Sequence, residues 1–260
     1  MEEQGYVYYR KVDKTQIPTC NIMGVKIAAV DMEWLLDYLE KNIEQLKGDY
    51  ICVSNVHTTV LSYENTDYCK IQNNGLMSIP DGGPLRTEGK KRGFLSMDRT
   101  TGPDLMEKLF EISPAKGYRH FFYGSTEEVL QTLSRNLKEK YRGIQIVGTY
   151  SPPFRELEQA EDARVIRQIN DTKPDFVWVG LGAPKQEIFM ARHQGRINAL
   201  MIGVGAGFDY HAGKLRRAPI WMQNNNLEWL YRLIQEPKRL FGRYGRTNIK
   251  FIWNACIRGR

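Results

Sequence analysis

The stretch Asp175-Phe-Val-Trp-Val-Gly-Leu-Gly-Ala-Pro184 decides the fold. A nearly continuous apolar run that ends in small residues and a proline is typical of a buried parallel strand leading into the first turn of a helix. This places Lys185, Gln186 and Glu187 at a helix N-terminus. Because such strands lie in sheets that helices cover on both faces, the stretch predicts an α/β fold.

The same alternation extends along most of the 260 residues. Amphipathic helices, including ones at about 32–47 and 58–72, separate strand-like runs near 25–30, 50–54, 76–79, 119–123, 144–148, 175–181 and 199–204. We predict a Rossmann-like, mainly parallel sheet with helices on both faces. It occupies residues 1–213, of which 1–20 form an N-terminal arm, and a basic helical appendage follows at residues 214–260.

The cysteines at positions 20, 52, 69 and 256 have no metal-ligand spacing, so we expect reduced thiols and a cytoplasmic protein. The N-terminus lacks the basic and apolar regions of a secretory signal. The longest apolar runs are far short of the roughly 20 residues that a transmembrane helix needs. Any contact with a membrane would therefore be peripheral.

The net positive charge of the protein lies entirely in the C-terminal segment. Residues 214–260 contain eleven lysines and arginines against Glu228 and Glu236, a net charge of +9, whereas residues 1–213 carry a net charge of −2. This asymmetry indicates a polyanionic partner, which could be lipid phosphate, a nucleotide diphosphate or nucleic acid. Trp221, Leu230 and neighbouring apolar residues interleave with the arginines, which suits an interfacial helix but equally suits docking on the protein's own core.

Ligands of open α/β sheets bind at the C-terminal ends of the strands. Polar or glycine-rich groups follow four predicted strands, at Asn55, at Asp81, at residues 180–186 and at residues 203–209. Asp81 lies between Pro80 and two glycines, where the backbone allows a ligand to approach closely. Its carboxylate could act as a general base, although an isolated aspartate in such a turn more often bonds its own backbone.

The turn at residues 180–185 could hold a diphosphate on its amides, with Gly182 at its centre, or could simply be a tight connection. It fails as a dinucleotide fingerprint because Lys185 replaces the third glycine. The histidines are dispersed, and no pair of aspartates has the spacing that holds a nucleotide through a divalent metal. A reaction without a metal ion is favoured.

Six motifs occur in a specific order. They are Val-Ser-Asn55, Pro-Asp81-Gly, Arg99-Thr-Thr-Gly-Pro-Asp-Leu105, Gly-Ala-Pro-Lys-Gln186-Glu, Gly-Val-Gly-Ala-Gly-Phe-Asp209, and Arg217-Ala-Pro followed by Leu-Glu-Trp-Leu-Tyr-Arg232 and Glu-Pro. Together they resemble the WecG/TagA/CpsF family of bacterial glycosyltransferases, also called glycosyltransferase family 26, over about residues 22–245. One departure is Val53, where many members have threonine, so the donor sugar stays open.

The resemblance implies transfer of N-acetylmannosamine, or a related hexose or uronic acid, from a UDP-sugar to a polyprenyl-diphosphate-linked sugar. It implies inversion, no metal and no cofactor, in making cell-surface polysaccharide or teichoic acid. Asp81 would be the base, and Asn55, Arg99, Gly182, Gln186 and Asp209 would bind substrate. Arginines of the appendage would contact the diphosphate and an anionic membrane at the inner face of the bacterial cell membrane: Arg217, Arg232, Arg239 and Arg243.

Two other classes of protein stay open on the residues alone. The glycine turns also suit an oxidoreductase with a nucleotide cofactor, and the basic tail with its aromatic residues suits a nucleic-acid-binding module. The resemblance favours the UDP-sugar, the lipid-linked acceptor and the membrane as partners, and not nucleic acid. Apolar stripes on the arm or the tail could also close a homo-oligomer interface.

Overall fold

The computed structural model describes residues 13–257, apart from the side chains of Asn224, Arg239, Arg243 and Cys256. The strands are Thr19–Ile22 (β1), Val25–Ala28 (β2), Tyr50–Ser54 (β3), Met77–Pro80 (β4), Arg119–Gly124 (β5), Gln145–Tyr150 (β6), Phe176–Gly180 (β7) and Leu200–Gly203 (β8). The helices are Met32–Leu46 (α1), Val56–Glu64 (α2), Thr66–Asn74 (α3), Gly83–Lys91 (α4), Gly102–Lys116 (α5), Glu127–Lys140 (α6), Gln159–Asp171 (α7), Lys185–Arg192 (α8), Gly207–His211 (α9), Ile220–Asn224 (α10), Glu228–Gln235 (α11) and Pro237–Phe251 (α12). A 3₁₀ turn at Lys14–Gln16 precedes them, and a π-helical segment, Ile252–Ile257, continues α12.

The strands form one sheet in the order β1-β2-β4-β3-β8-β7-β5-β6. Only β1 and β2 pair antiparallel in the described part of the chain; every other neighbouring pair is parallel. The seven predicted strands are confirmed, but β1 was missed because it begins at the end of the predicted arm. It joins β2 through Met23 and Gly24, which both have positive φ, as a two-residue hairpin turn requires.

Helices cover both faces of the sheet, as predicted. Alternate residues of β7 show this, because Phe176 and Trp178 belong to the core that packs on α1, α5 and α6. Val177 and Val179 point to the opposite face and pack with residues of α7 and α8. Since successive side chains of a strand alternate between faces, a strand buried on both sides reads as one continuous apolar run.

The helix predicted at 58–72 is two helices, α2 and α3. Asn65 divides them, and its side-chain oxygen accepts hydrogen bonds from the backbone N–H groups of Asp67 and Tyr68, each at 3.0 Å. An asparagine that caps a new helix competes with continuation of the old one.

The C-terminal helices pack closely on the rest of the molecule. Leu240, Phe251 and Ala255 are buried, and Phe251 and Ala255 join a core with residues of β1 and β2. Arg246 and Lys250 form ion pairs with Glu64 at the end of α2. The segment predicted as an appendage thus shares a core with the sheet, and its association with a membrane stays a prediction.

Candidate active site

A cavity of about 540 Å³ opens at the C-terminal edge of the sheet. Its lining includes residues that follow four neighbouring strands, β4, β3, β8 and β7. In that order the strands contribute Asp81, Asn55, Gly205 and Gly182. The four places indicated by the sequence therefore meet in one cavity, as expected for an open α/β sheet.

Asp81 lies directly after β4 and is held beside β3, because its backbone N–H donates to the carbonyl oxygen of Ser54 at 2.6 Å. Helix α4 begins two residues later without a side-chain cap, so the carboxylate is not used to start the helix. Burial raises the pKa of Asp81 from 3.8 to about 7, and the negative charge of Glu228 acts in the same direction, whereas Arg99 opposes it. A carboxyl group that titrates near neutrality is well matched to accepting a proton.

Asn55 orients towards Asp81 because α2 fixes its side chain. The side-chain oxygen caps α2 by accepting from the backbone N–H groups of His57 at 3.0 Å and Thr58 at 3.2 Å. A side-chain hydrogen bond between Asn55 and Asp81 favours the ionised form of the carboxyl group and lowers its pKa, a smaller effect than burial. The two residues thus form a pair at the ends of adjacent strands.

Two arginines and two carboxylates form a network beside Asp81. Arg99 forms ion pairs with Glu228 and, at 3.3 Å, with Asp104. Arg217 lies 2.8 Å from Asp104 and 3.6 Å from Glu228. The network joins the loop before α5 to the start of α11, and so ties the C-terminal segment to the cavity.

Gln186 joins the loops that follow β7 and β8. Its side-chain oxygen accepts from the backbone N–H of Gly182 at 3.1 Å and from that of Gly205 at 2.9 Å. Its side-chain nitrogen donates to the carboxylate of Glu187 at 2.8 Å, and this bond fixes the positions of the amide oxygen and nitrogen. The N–H of Gly182, which the sequence suggested for holding a diphosphate, is therefore engaged with Gln186.

Tyr210 lies against two of the predicted arginines. The guanidinium carbons of Arg217 and Arg232 lie 5.4 and 5.3 Å from the centre of its ring, and Arg232 donates to its hydroxyl at 3.0 Å. Arg232 also forms an ion pair with Glu236 at 2.6 Å. Burial raises the pKa of Tyr210 to about 12, so the hydroxyl keeps its proton at neutral pH.

The cavity collects most, but not all, of the predicted site residues. Those that line it are Asn55, Asp81, Arg99, Gly182, Gln186 and Arg232. Arg217 does not line the cavity itself but contacts Tyr210 and Gln223, which do. Asp209 lies on α9, where its carbonyl oxygen accepts from the backbone N–H groups of Lys214 and Leu215. The side chains of Arg239 and Arg243 lie outside the described residues, so their predicted role stays a prediction.

Sequence reasoning missed Glu228, Asn226 and Glu187. Glu228 is one of two acids in a basic segment and belongs to the last of the six motifs, and these two signals could have marked it. Asn226 packs on Gly83 so closely that a Cβ on the glycine would lie 1.6 Å from the Asn226 side-chain oxygen. The segment that supplies both residues therefore lies directly over the turn that holds Asp81.

The described residues contain neither a candidate metal site nor a helix that could span a membrane. Within residues 13–257, no group of three His, Cys, Asp or Glu side chains has the arrangement of a metal site. No helix in that range is both long and apolar enough to cross a bilayer.

Comparison with known proteins agrees with the order of the motifs. The family model described as "Glycosyl transferase WecG/TagA/CpsF family" matches residues 20–260. The N-acetylglucosaminyldiphosphoundecaprenol N-acetyl-beta-D-mannosaminyltransferase of Bacillus subtilis is 32% identical over 206 residues, 78% of each chain. The protein of the same name from Bacillus spizizenii is 31% identical over 199 residues, which are 76% of this chain and 75% of that protein. The match covers nearly the whole sheet and the C-terminal helices, and the chain therefore belongs to the WecG/TagA/CpsF family of glycosyltransferases.

Proposed function

We propose that this enzyme transfers N-acetylmannosamine, or a related hexose or uronic acid, from a UDP-sugar to a polyprenyl-diphosphate-linked sugar. The names of the two Bacillus relatives support this proposal, because they specify an N-acetyl-beta-D-mannosaminyl group and an N-acetylglucosaminyldiphosphoundecaprenol acceptor. The product would serve the synthesis of teichoic acid or another cell-surface polysaccharide. The family match favours a glycosyltransferase over the oxidoreductase and over the nucleic-acid-binding module.

The observation that carries the proposed mechanism is a carboxyl group with a pKa of about 7 facing the cavity. Asp81 takes the proton of the acceptor hydroxyl as that oxygen bonds to the anomeric carbon of the donor. The bond between the anomeric carbon and the diphosphate oxygen breaks, and its electron pair leaves with UDP. Because the hydroxyl attacks opposite the leaving group, the anomeric configuration inverts.

The departing diphosphate needs positive charge, which arginines supply in a mechanism without a metal. Arg232 and Arg99 both line the cavity, and Arg99 also forms ion pairs with Asp104 and Glu228. A diphosphate that approaches Arg99 would replace Glu228 as the ion-pair partner of Arg99. Gln186 would hold together the loops that follow β7 and β8, where we place the UDP-sugar.

Contact with the membrane is assigned to the C-terminal helices. They carry basic side chains and a set of exposed apolar ones: Ile220, Trp221, Ile234, Phe241, Ile249, Ile252, Trp253 and Ile257. Apolar side chains flanked by cations insert at the boundary between anionic headgroups and acyl chains. We therefore place the enzyme at the inner face of the bacterial cell membrane.

Release of UDP in the presence of a lipid-diphosphate N-acetylglucosamine acceptor tests the mechanism. Asp81→Asn keeps the shape of the side chain but cannot accept the proton, so we expect turnover to fall by roughly 100-fold or more. The matched control is Asp67→Asn, an exposed aspartate on α3. Near-normal turnover of Asp81→Asn would exclude Asp81 as the base.

A further inference from the structure

The cavity extends beyond the ends of the strands into a groove between α4 and α12. Pro84, Thr87 and Lys91 of α4 line it, and they recur at the spacing that places residues on one helix face. Leu240, Tyr244 and Phe251 of α12 do the same on the opposite wall. We call this part of the cavity the α4–α12 groove.

The groove leads from Asp81 to the exterior. Its inner end is the start of α4, where Gly83 follows Asp81 by two residues. At the other end of α4, Arg92 donates to the carbonyl oxygen of Ala255 at 3.2 Å, so the residues that follow α12 lie there. The two helices therefore line the groove in the same direction, and Lys91 and Ile252, which is 54% exposed, lie near its mouth.

The chemistry of the walls differs from that of the arginine side of the cavity. Leu240 and Phe251 are buried, and Val56 and Pro84 add further apolar surface. At 1.5 Å per residue, the lining extends about 10 Å along α4 and about 16 Å along α12. Polar side chains also line the groove, at Thr87, Glu88, Lys91, Thr247 and Asn248. The carboxylate of Glu88 is buried and paired with Arg92, and it would repel a diphosphate or a nucleotide. An apolar chain attached to a group at Asp81 matches both the walls and the direction.

The geometry points to the α4–α12 groove as the binding site for the isoprenoid units next to the diphosphate of the acceptor lipid, an inference that rests on the proposed function. An isoprene unit adds four carbon–carbon bonds of about 1.5 Å to the chain, roughly 5 Å when extended. The groove thus holds two or three units. Beyond the mouth, exposed Ile252 and Trp253 continue the apolar surface towards the lipid phase.

Varying the length of the isoprenoid chain on the acceptor tests whether the groove binds that chain. N-acetylglucosamine diphosphates carrying a methyl, a geranyl or a farnesyl group are compared at submicellar concentration, without vesicles, with UDP-N-acetylmannosamine as donor. We expect the acceptor KM to fall about tenfold or more from methyl to farnesyl, because each unit buries apolar surface, while kcat changes little. Equal KM values for all three acceptors would overturn the groove and leave the proposed function standing. Absence of transfer to every acceptor would count against the proposed function itself.

Variants locate the effect. Thr87→Trp places a large side chain in the groove, and we expect it to raise the KM for the farnesyl acceptor more than that for the methyl acceptor. Lys90→Trp on the same helix is exposed and does not line the groove, so it serves as the control. If Thr87→Trp does not fold, Ile252→Glu provides the same comparison by placing a charge at the mouth of the groove. Its control is Leu95→Glu, at an exposed apolar residue that does not line the cavity. An equal rise in KM for both acceptors in Thr87→Trp and Ile252→Glu would overturn the assignment.

Discussion

Glu228, near the C-terminus, forms an ion pair with Arg99, a residue 129 positions earlier in the chain. The same carboxylate raises the pKa of Asp81, second in effect only to burial. The C-terminal segment therefore influences the candidate base by charge as well as by covering it.

Replacing Glu228 with glutamine should shift the pH dependence of the reaction. Removing the negative charge of Glu228 lowers the pKa of Asp81. Arg99, no longer paired with that charge, then lowers the pKa of Asp81 further. We expect the acid limb of kcat/KM, which reports the free enzyme, to move to lower pH by on the order of one unit or less. Glu111→Gln, an exposed surface change, is the control. An acid limb that stays in place would mean that Glu228 does not act on the base.

Asp81→Asn should stabilise the protein at high pH. The pKa of this carboxyl group rises from 3.8 to about 7 on folding. At low pH the group is protonated in the folded and the unfolded state alike, so it does not reduce the free energy of unfolding there. The cost grows as pH rises from about 4 to 7 and is complete above 7, where it reaches roughly 2–4 kcal/mol. We expect the Tm of Asp81→Asn to exceed that of the wild type at pH 8 and the difference to vanish near pH 4. Asp67→Asn should not show this stabilisation, because the hydrogen bond with Lys70 lowers the pKa of Asp67.

Glu187 should affect activity indirectly, by orienting the side chain of Gln186. Its carboxyl group is buried, and burial raises its pKa, while hydrogen bonds with Gln186 and Tyr68 oppose the rise. Glu187→Leu removes the acceptor that orients the Gln186 amide, so we expect kcat/KM for the UDP-sugar to fall about tenfold. Glu187→Gln keeps an acceptor oxygen and should restore most of the activity. Equal losses in the two variants would point to packing in place of orientation.

Gly83→Ala tests the position of the C-terminal segment over the site. The added methyl group would meet the Asn226 side chain, so Asn226 must move away from the turn that holds Asp81. We expect activity to drop roughly tenfold or more, with the fold retained. Gly245→Ala on α12, where a Cβ meets no atom within 4 Å, provides the matched control. Full activity of Gly83→Ala would show that Asn226 can leave without consequence.

Membrane association should depend on the exposed apolar face of α12. Phe241 and Ile249 are 75% and 71% exposed and lie eight residues apart, on one face of the helix. The double change Phe241→Ser and Ile249→Ser should lower binding to anionic vesicles at least about tenfold, measured by sedimentation. Leu95→Ser with Phe154→Ser, two exposed apolar residues outside this segment, is the control. Point changes are preferable to deletion, because removing α12 would also remove Phe251 and so expose the core that it shares with β1 and β2.

The sequence predicted the sheet and the location of the site because both depend on local patterns. Apolar runs mark the parallel strands, and the residues that follow them must lie at one edge of the sheet, which is how Asp81, Asn55 and Gln186 were found. Contacts across long separations had no such pattern. Neither the pairing of Arg99 with Glu228 nor the packing of Asn226 on Gly83 follows from periodicity or composition. The two hydrogen bonds that the side-chain oxygen of Gln186 accepts depend on how two separate loops are placed.

The position of α12 in the cavity also has a consequence for biosynthesis. The cavity is lined by residues from Val53 to Ile252, so its walls are complete only after Ile252 has left the ribosome. The sheet can form earlier, since its last strand ends at Gly203, and domains commonly begin to fold during translation. A nascent chain that has folded its sheet but not yet released α12 has its candidate base in place without the groove that would receive a lipid. The proposed binding of the acceptor lipid therefore requires that α12 has already emerged and packed on the sheet.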